Sequence, residues 1–393
     1  MIPSILPTYN RAPLEFVRGE GSWLWTAEGE RYLDFGAGIA VNALGHAHPA
    51  LVETLTDQAQ ALWHVSNLYR IPAQQKLADL LVEHSFADTA FFTNSGTEAC
   101  ELAIKMARRF WYDRGEDRTE ILTFEGCFHG RSAAAIAASG SKKMTEGFAP
   151  LLPGFRQLPW GDHAALRTAI GPGTAAVMIE PIQGEGGIRV LPDHCLKGLR
   201  ALCDEHGVLL ILDEVQCGMG RTGRLFAHEW AGVTPDIIMV AKGIGGGFPL
   251  GAVLATERAA APMVAGTHGS TYGGNPLACA VGARVVEIVA GDPAFLPRVS
   301  QAAGHLQQRL GGLVDAHPDV FSGIRGRGLM LGLECRVPVA ELVRAGYDAH
   351  VLTVPAAGDV VRLLPALTVT DAEIDESVAR LDRAAEALRP AAA

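Results

Sequence analysis

Two charged residues close unusually apolar runs. Lys242 follows Asp236-Ile-Ile-Met-Val-Ala241 and precedes the flexible, glycine-rich GIGGGFPLG, while Asp213 ends Val208-Leu-Leu-Ile-Leu212 with Glu214 behind it. Strands this apolar belong inside a protein, so the lysine at such an end is withdrawn from water. Burial disfavours its ammonium and leaves an amine able to attack a carbonyl. Taken singly, each residue reads as readily as a charged group at an ordinary strand end. Taken together they say more. The 29 positions from Asp213 to Lys242 hold one connection and one further strand. Both side chains then emerge at the carboxyl ends of neighbouring strands, where open α/β sheets bind ligands. A sequestered amine and a carboxylate facing one crevice suit pyridoxal phosphate. The amine forms a Schiff base, and the acid keeps the pyridine nitrogen protonated so that the ring accepts electrons.

Such a cofactor needs a phosphate site, and Ser95-Gly96-Thr97 offers one between a strand and a helix start. Free backbone N–H groups and the helix dipole favour an anion there, and glycine permits close approach. The same residues also read as a plain capping box. His46 and His48 of GHAHP are spaced like a metal pair but lack cysteine or carboxylate partners nearby, so no metal is expected. The glycines of GIGGGFP and GEGG do not fit GxGxxG after a strand, which argues against a dinucleotide-dependent oxidoreductase.

Positioning these groups requires a buried sheet. Apolar runs at Ala90–Thr93, Ile121–Phe124, Ala175–Glu180, Val208–Asp213, Ile237–Ala241 and Gly251–Ala255 predict strands buried on both faces of a mainly parallel sheet. A helix from Asp193, read as its cap, to His206 before Gly207 completes a strand–helix–strand crossover, with Leu196, Leu199, Leu202 and Cys203 as its apolar stripe. Ser95 with Glu98, and Thr370 with Glu373, form capping boxes. Beyond Gly291-Asp292-Pro293, helical patterns enclose short strands at Leu329–Glu334 and Val360–Leu364. The expected division is an N-terminal segment over residues 1–48 that packs with a small α+β domain over 292–393, and a large α/β domain over 49–291. The opening segment, with Trp23, Trp25 and Tyr32, reads as a hairpin.

Composition fits an enzyme. The 393 residues are 48% hydrophobic and only 19% charged, too apolar for disorder. At about 150 residues per domain the length allows two or three. The net charge of −10 speaks against a nucleic-acid partner. Seven cysteines without a CxxC pair point to a reducing compartment, and neither a secretory signal nor a membrane span is visible. A cytoplasmic protein is expected.

The strings SGTEA (95–99), FEGCFHGRS (124–132), EPIQGEGG (180–187), LDEVQCGMGRTG (212–223), DIIMVAKGIGGGFPLGA (236–252) and HGSTYGGNPLA (268–278) occur in one order. This pattern resembles the class III pyridoxal-phosphate aminotransferases, most closely their acetylornithine branch in arginine biosynthesis. The likeness runs over nearly the whole chain. It implies the fold type I architecture, a mainly parallel seven-stranded sheet in a large domain plus a smaller α+β domain. It also implies amino transfer from N-acetylornithine to 2-oxoglutarate in a homodimer with shared sites. By resemblance, Lys242 carries the cofactor and shuttles a proton, Asp213 pairs with the pyridine nitrogen, and Gln216 bonds the ring hydroxyl. Phe128 and Val215 cover the two ring faces, and Glu214 also belongs to the cofactor site. Ser95, Gly96 and Thr97 hold the phosphate from one subunit and Thr271 reaches it from the other. Arg131 takes the substrate's α-carboxylate or the far carboxylate of 2-oxoglutarate. Arg362 takes the α-carboxylate of 2-oxoglutarate, with Glu185 as its removable counter-ion, and Tyr9 and Ser270 touch the acetylornithine end. The chain reads SGTEACE where many acetylornithine enzymes read SGAEANE. Relatives acting on succinylornithine, succinyl-diaminopimelate, ornithine or γ-aminobutyrate share most of these strings.

Overall fold

A computed structural model describes residues 2–388; Met1 and residues 389–393, the outermost ends of the expected divisions, lie outside the described residues. A seven-stranded sheet dominates, in the order Phe155–Leu158, Glu120–Phe124, Thr174–Ile179, Leu209–Asp213, Ile237–Val240, Gly251–Ala255 and Thr89–Thr93. Neighbours run parallel except Gly251–Ala255, which is antiparallel to the strands on both sides. The fold is α/β. Alternate residues explain why the central strands are continuously apolar. Leu210, Leu212, Val177 and Ile179 enter the core on one face, and Leu209, Ile211, Ala176 and Met178 the core on the other. A period of two that is apolar on both sides is what double coverage requires.

Every expected strand is present within a residue or so. Phe155–Leu158 was not foreseen: it is an edge strand whose Arg156 is exposed. The helix Asp193–His206 ends at Gly207 in the left-handed region, φ 68°, as its glycine suggests. Its start corrects the sequence reading. Pro192 occupies the cap position without a side-chain bond, and Asp193 instead pairs with Arg327 at 2.8 Å. The GIGGGFPLG stretch is also more ordered than its glycines imply, because Lys242–Gly245 form a 3-10 turn that buries Ile244.

Two four-stranded sheets accompany the large one, besides the two-stranded ribbon of Ile182–Gln183 and Arg189–Val190. Phe321–Arg327, Met330–Cys335, Val360–Leu363 and Val354–Ala356 make one. In the other, Arg18–Glu20, Trp23–Trp25 and Arg31–Asp34 pair antiparallel, and Val351–Leu352 adds a parallel strand to Arg31–Asp34. The N-terminal hairpin is thus completed by a strand from the far end of the chain. The Thr370 capping box is complete, whereas only half of the Ser95 box forms, because the Glu98 carboxylate turns to the Asn94 N–H. No helix among the described residues is long and apolar enough to cross a membrane.

Candidate active site

Asp213 is the last residue of its strand and sits in register with Met239 of the neighbouring parallel strand; Lys242 lies just past that strand's end. Both therefore reach the same edge of the sheet. They line one cavity of about 410 Å³, together with Ser95, Gly96, Thr97, Phe128, His129, Arg131, Glu180, Glu185, Val215 and Gln216. That volume lies within the usual range for a small-molecule site.

Lys242 is only partly exposed, and its backbone adopts φ 50°, a left-handed conformation uncommon outside glycine. Burial pushes its ammonium pKa down to about 8. An ordinary lysine near 10.4 is about a hundredfold poorer in free amine at pH 8. In the cofactor-free chain, limited labelling with an amine reagent at pH 8 is expected to mark Lys242 ahead of the other five lysines. Its rate should rise through about pH 8, read by peptide mass spectrometry. Equal labelling of all six would contradict a sequestered amine.

Asp213 is almost fully buried. Its Oδ1 accepts the Val215 N–H at 3.0 Å, and its Oδ2 lies 2.7 Å from His129 Nδ1. Burial opposes the His129 imidazolium, but Cys127 and the Asp213 carboxylate outweigh it and hold its pKa well above the ordinary value. Glu180 follows the end of strand Thr174–Ile179 as Asp213 ends its own. Burial, with Asp213 adding to it, pushes the Glu180 pKa up to about 7, against the pull of His129 and of the Phe128 and Gly184 N–H groups that Glu180 accepts at 2.9 and 3.2 Å.

At the opposite wall, Ser95 caps helix Gly96–Tyr112 through the Glu98 N–H at 3.3 Å. The first-turn N–H groups point outward from the helix end. A Cβ on Gly96 would stand 3.0 Å from Val215 Cγ1, so only glycine leaves this approach open without a shift. A buried carboxylate, a low-pKa amine and an anion-binding helix start around one cavity fit pyridoxal phosphate. Lys242 could hold its aldehyde carbon, Asp213 its ring nitrogen, and the Gly96–Thr97 backbone its phosphate.

Arg362 approaches from strand Val360–Leu363, itself 1% exposed. Its Nη1 donates to Glu185 Oε1 at 2.7 Å and Gln216 Oε1 at 3.1 Å, and its Nη2 to the Pro355 carbonyl at 2.9 Å. Arg131 is exposed, its guanidinium 5.5 Å from the centre of the Phe128 ring.

Arg362 meets the cavity only through Glu185 and Gln216 of its lining, and four other expected residues lie away from it. Glu214 points the other way, because successive side chains leave an extended backbone on opposite sides. It accepts the N–H groups of Ala227 and His228 and the His228 ring, all within the buried interior. Tyr9 is 73% exposed on the N-terminal segment. Ser270 and Thr271 lie in an outlying loop, where the Ser270 hydroxyl accepts the Gly273 N–H at 2.8 Å. Conversely, His129, Glu180 and Asn94 line the cavity without having been singled out. Glu180 was within reach of the rule that found Asp213. His129 was visible only as part of FHGRS. His46 bonds Asp34 at 2.8 Å, and His48 precedes helix Pro49–Ala61.

The class-III aminotransferase family matches residues 6–385, and the chain belongs to that family. It is thus a pyridoxal-phosphate-dependent aminotransferase. Among particular relatives, the acetylornithine aminotransferase of Rhodobacter capsulatus is 68% identical over 389 residues, covering 99% of both chains. That of Brucella melitensis is 58% identical over 382 residues, 97% of this chain and 94% of its own. Among solved structures, N-acetylornithine aminotransferase from Stenotrophomonas maltophilia superposes with a TM-score of 0.83 at 40% identity, over 96% of this chain and 97% of its own. An ornithine aminotransferase from Toxoplasma gondii, with partial occupancy of pyridoxal phosphate at its active site, gives 0.92 at 32% identity over 96% and 92%.

Proposed function

We propose that the chain moves the terminal amino group of N-acetyl-L-ornithine to 2-oxoglutarate, giving N-acetyl-glutamate 5-semialdehyde and glutamate. The observation that carries this reading is the joint placement of Lys242 and Asp213 in one cavity with two arginines at its margin. Names of full-length relatives supply the substrate. Held by Lys242, Asp213 and the Gly96–Thr97 backbone, pyridoxal phosphate would supply an electron sink for the carbon beside the reacting amine. Lys242 would carry the proton to and from the carbon beside the reacting amine, and Asp213 would keep the ring nitrogen positively charged. Gln216 would bond the ring hydroxyl, and Phe128 and Val215, which line the same cavity, would cover the two ring faces. Arg131 takes a carboxylate in both half-reactions, for which the planar guanidinium is suited.

Arg362 serves only 2-oxoglutarate and glutamate. When acetylornithine reacts, Glu185 neutralises it, as the 2.7 Å contact supports. Glu185 is partly exposed and free to swing away, whereas Arg362 is enclosed. Glu185→Ala is therefore expected to slow the acetylornithine half-reaction about tenfold more than the glutamate one, of the order of a lost charged hydrogen bond. Single-turnover absorbance measures both. Equal losses in the two would remove the switch.

The working unit is a cytoplasmic homodimer in which Thr271 serves the neighbouring site. Trp63, Leu68, Tyr69 and Tyr272 are each more than 60% exposed, and Asn67 ties their two segments by bonds to the Ser270 and Gly273 carbonyls. An apolar patch of this kind suits a second copy. A substrate panel with 2-oxoglutarate as acceptor tests the donor. N-acetylornithine is expected to exceed ornithine, γ-aminobutyrate and succinylated donors in kcat/KM. A faster rate with any of those would reassign it.

A further inference from the structure

Thr97 is placed where its hydroxyl has no capacity left for a ligand. The hydroxyl accepts the backbone N–H of Arg131 at 3.0 Å and of Ser132 at 3.2 Å, and lies 3.2 Å from the Ser132 hydroxyl. A threonine hydroxyl has one proton and two lone pairs, so these three contacts engage all of it. The Thr97 backbone N–H, in the first turn of helix Gly96–Tyr112, stays available to an anion.

Packing makes the tie close. Gly130 has φ 131°, and a Cβ there would collide with Thr97 Oγ1. The rest of the loop is pinned by Phe128 N–H to Glu180 at 2.9 Å and by His129 to Asp213 at 2.7 Å. The Arg131 guanidinium, by contrast, is exposed and has no carboxylate within 4.0 Å among the described residues. Apart from its place over the Phe128 ring, its position is set by its backbone, which the Thr97 hydroxyl holds at the Arg131 and Ser132 N–H groups.

We infer that Thr97 is a positioning residue for the substrate carboxylate: its hydroxyl fixes the Arg131 backbone against the helix start that receives the phosphate. The inference rests on the reading of this cavity given above. It separates two tasks that one short motif combines. The backbone of Gly96 and Thr97 serves the cofactor, and the Thr97 side chain serves Arg131. An alanine in its place has no atom able to make this tie.

The test compares Thr97→Val, Thr97→Ala and Thr97→Ser with the wild-type holoenzyme. Pyridoxal phosphate affinity, KM for N-acetylornithine and for 2-oxoglutarate, and amide hydrogen exchange of residues 127–132 are read for each. Losing two backbone hydrogen bonds predicts a rise in both KM values on the order of tenfold. Exchange over 127–132 should quicken, while cofactor affinity stays within about twofold, since no phosphate contact is lost. Thr97→Ser should restore all three readings. Thr97→Ala guards against a packing defect peculiar to valine. A fall in cofactor affinity with unchanged KM would overturn the inference and make the hydroxyl a phosphate ligand. Unchanged KM and exchange in both Val and Ala variants would overturn it too. In either case a wild type that binds cofactor and transaminates leaves the functional reading standing, whereas a wild type that does neither overturns both.

Discussion

Lys242→Ala is expected to lower kcat by more than about 10⁴-fold, because proton transfer by a placed side chain alone is worth about 10²–10⁴ and this residue also carries the cofactor. The chain should still fold. Lys242 lies in a short 3-10 turn, and it enters no ion pair among the described residues, so its loss strands no partner. Removing an ammonium that burial already disfavours is neutral or mildly stabilising. Turnover and thermal unfolding of wild type and variant check both halves. A variant keeping a tenth of the wild-type rate would show that another group does the work of this amine.

Asp213→Asn is the second large effect, with a fall in kcat on the order of 10³-fold, the scale of removing a preorganised electrostatic contact. The carboxamide is nearly isosteric and can still accept the Val215 N–H, so geometry survives while charge does not. The change reaches His129 as well. With the carboxylate gone, one of the two groups that hold the imidazolium against burial is lost, and the His129 pKa should drop. Ring-nitrogen chemical shifts of His129 over a pH series would show this in the chain without cofactor. Asp213→Glu keeps the charge but displaces it, and should recover less than wild-type activity. Full activity in Asp213→Asn would remove the acid from the account.

The groups that were plain in the sequence are those whose signal is local. Asp213 and Lys242 stand out because each ends a run that is apolar on both faces, and such a run has one place to go. Glu180 obeys the same rule, since it directly follows Thr174–Ile179, a strand buried throughout. The limits are equally physical. His129 meets Asp213 across 84 positions, and Arg362 meets Glu185 across 177, so no local pattern encodes either pair. The family resemblance, not the spacing, pointed to the second pair. Glu214 follows Asp213 directly, yet its carboxylate accepts the N–H groups of Ala227 and His228, 13 and 14 positions on, a pairing no local pattern encodes. Asp193 illustrates the same limit for a helix start: its carboxylate is claimed by Arg327, 134 positions away, instead of by its own helix. The antiparallel direction of Gly251–Ala255 has no counterpart in its composition, since a strand buried on both faces looks alike whichever way it runs.

Borohydride reduction of the holoenzyme, followed by proteolysis and mass spectrometry, tests the central claim most directly. The account predicts one modified residue, Lys242, bearing the reduced cofactor. Modification of any of Lys76, Lys105, Lys142, Lys143 or Lys197 in its place, or of none, would contradict it.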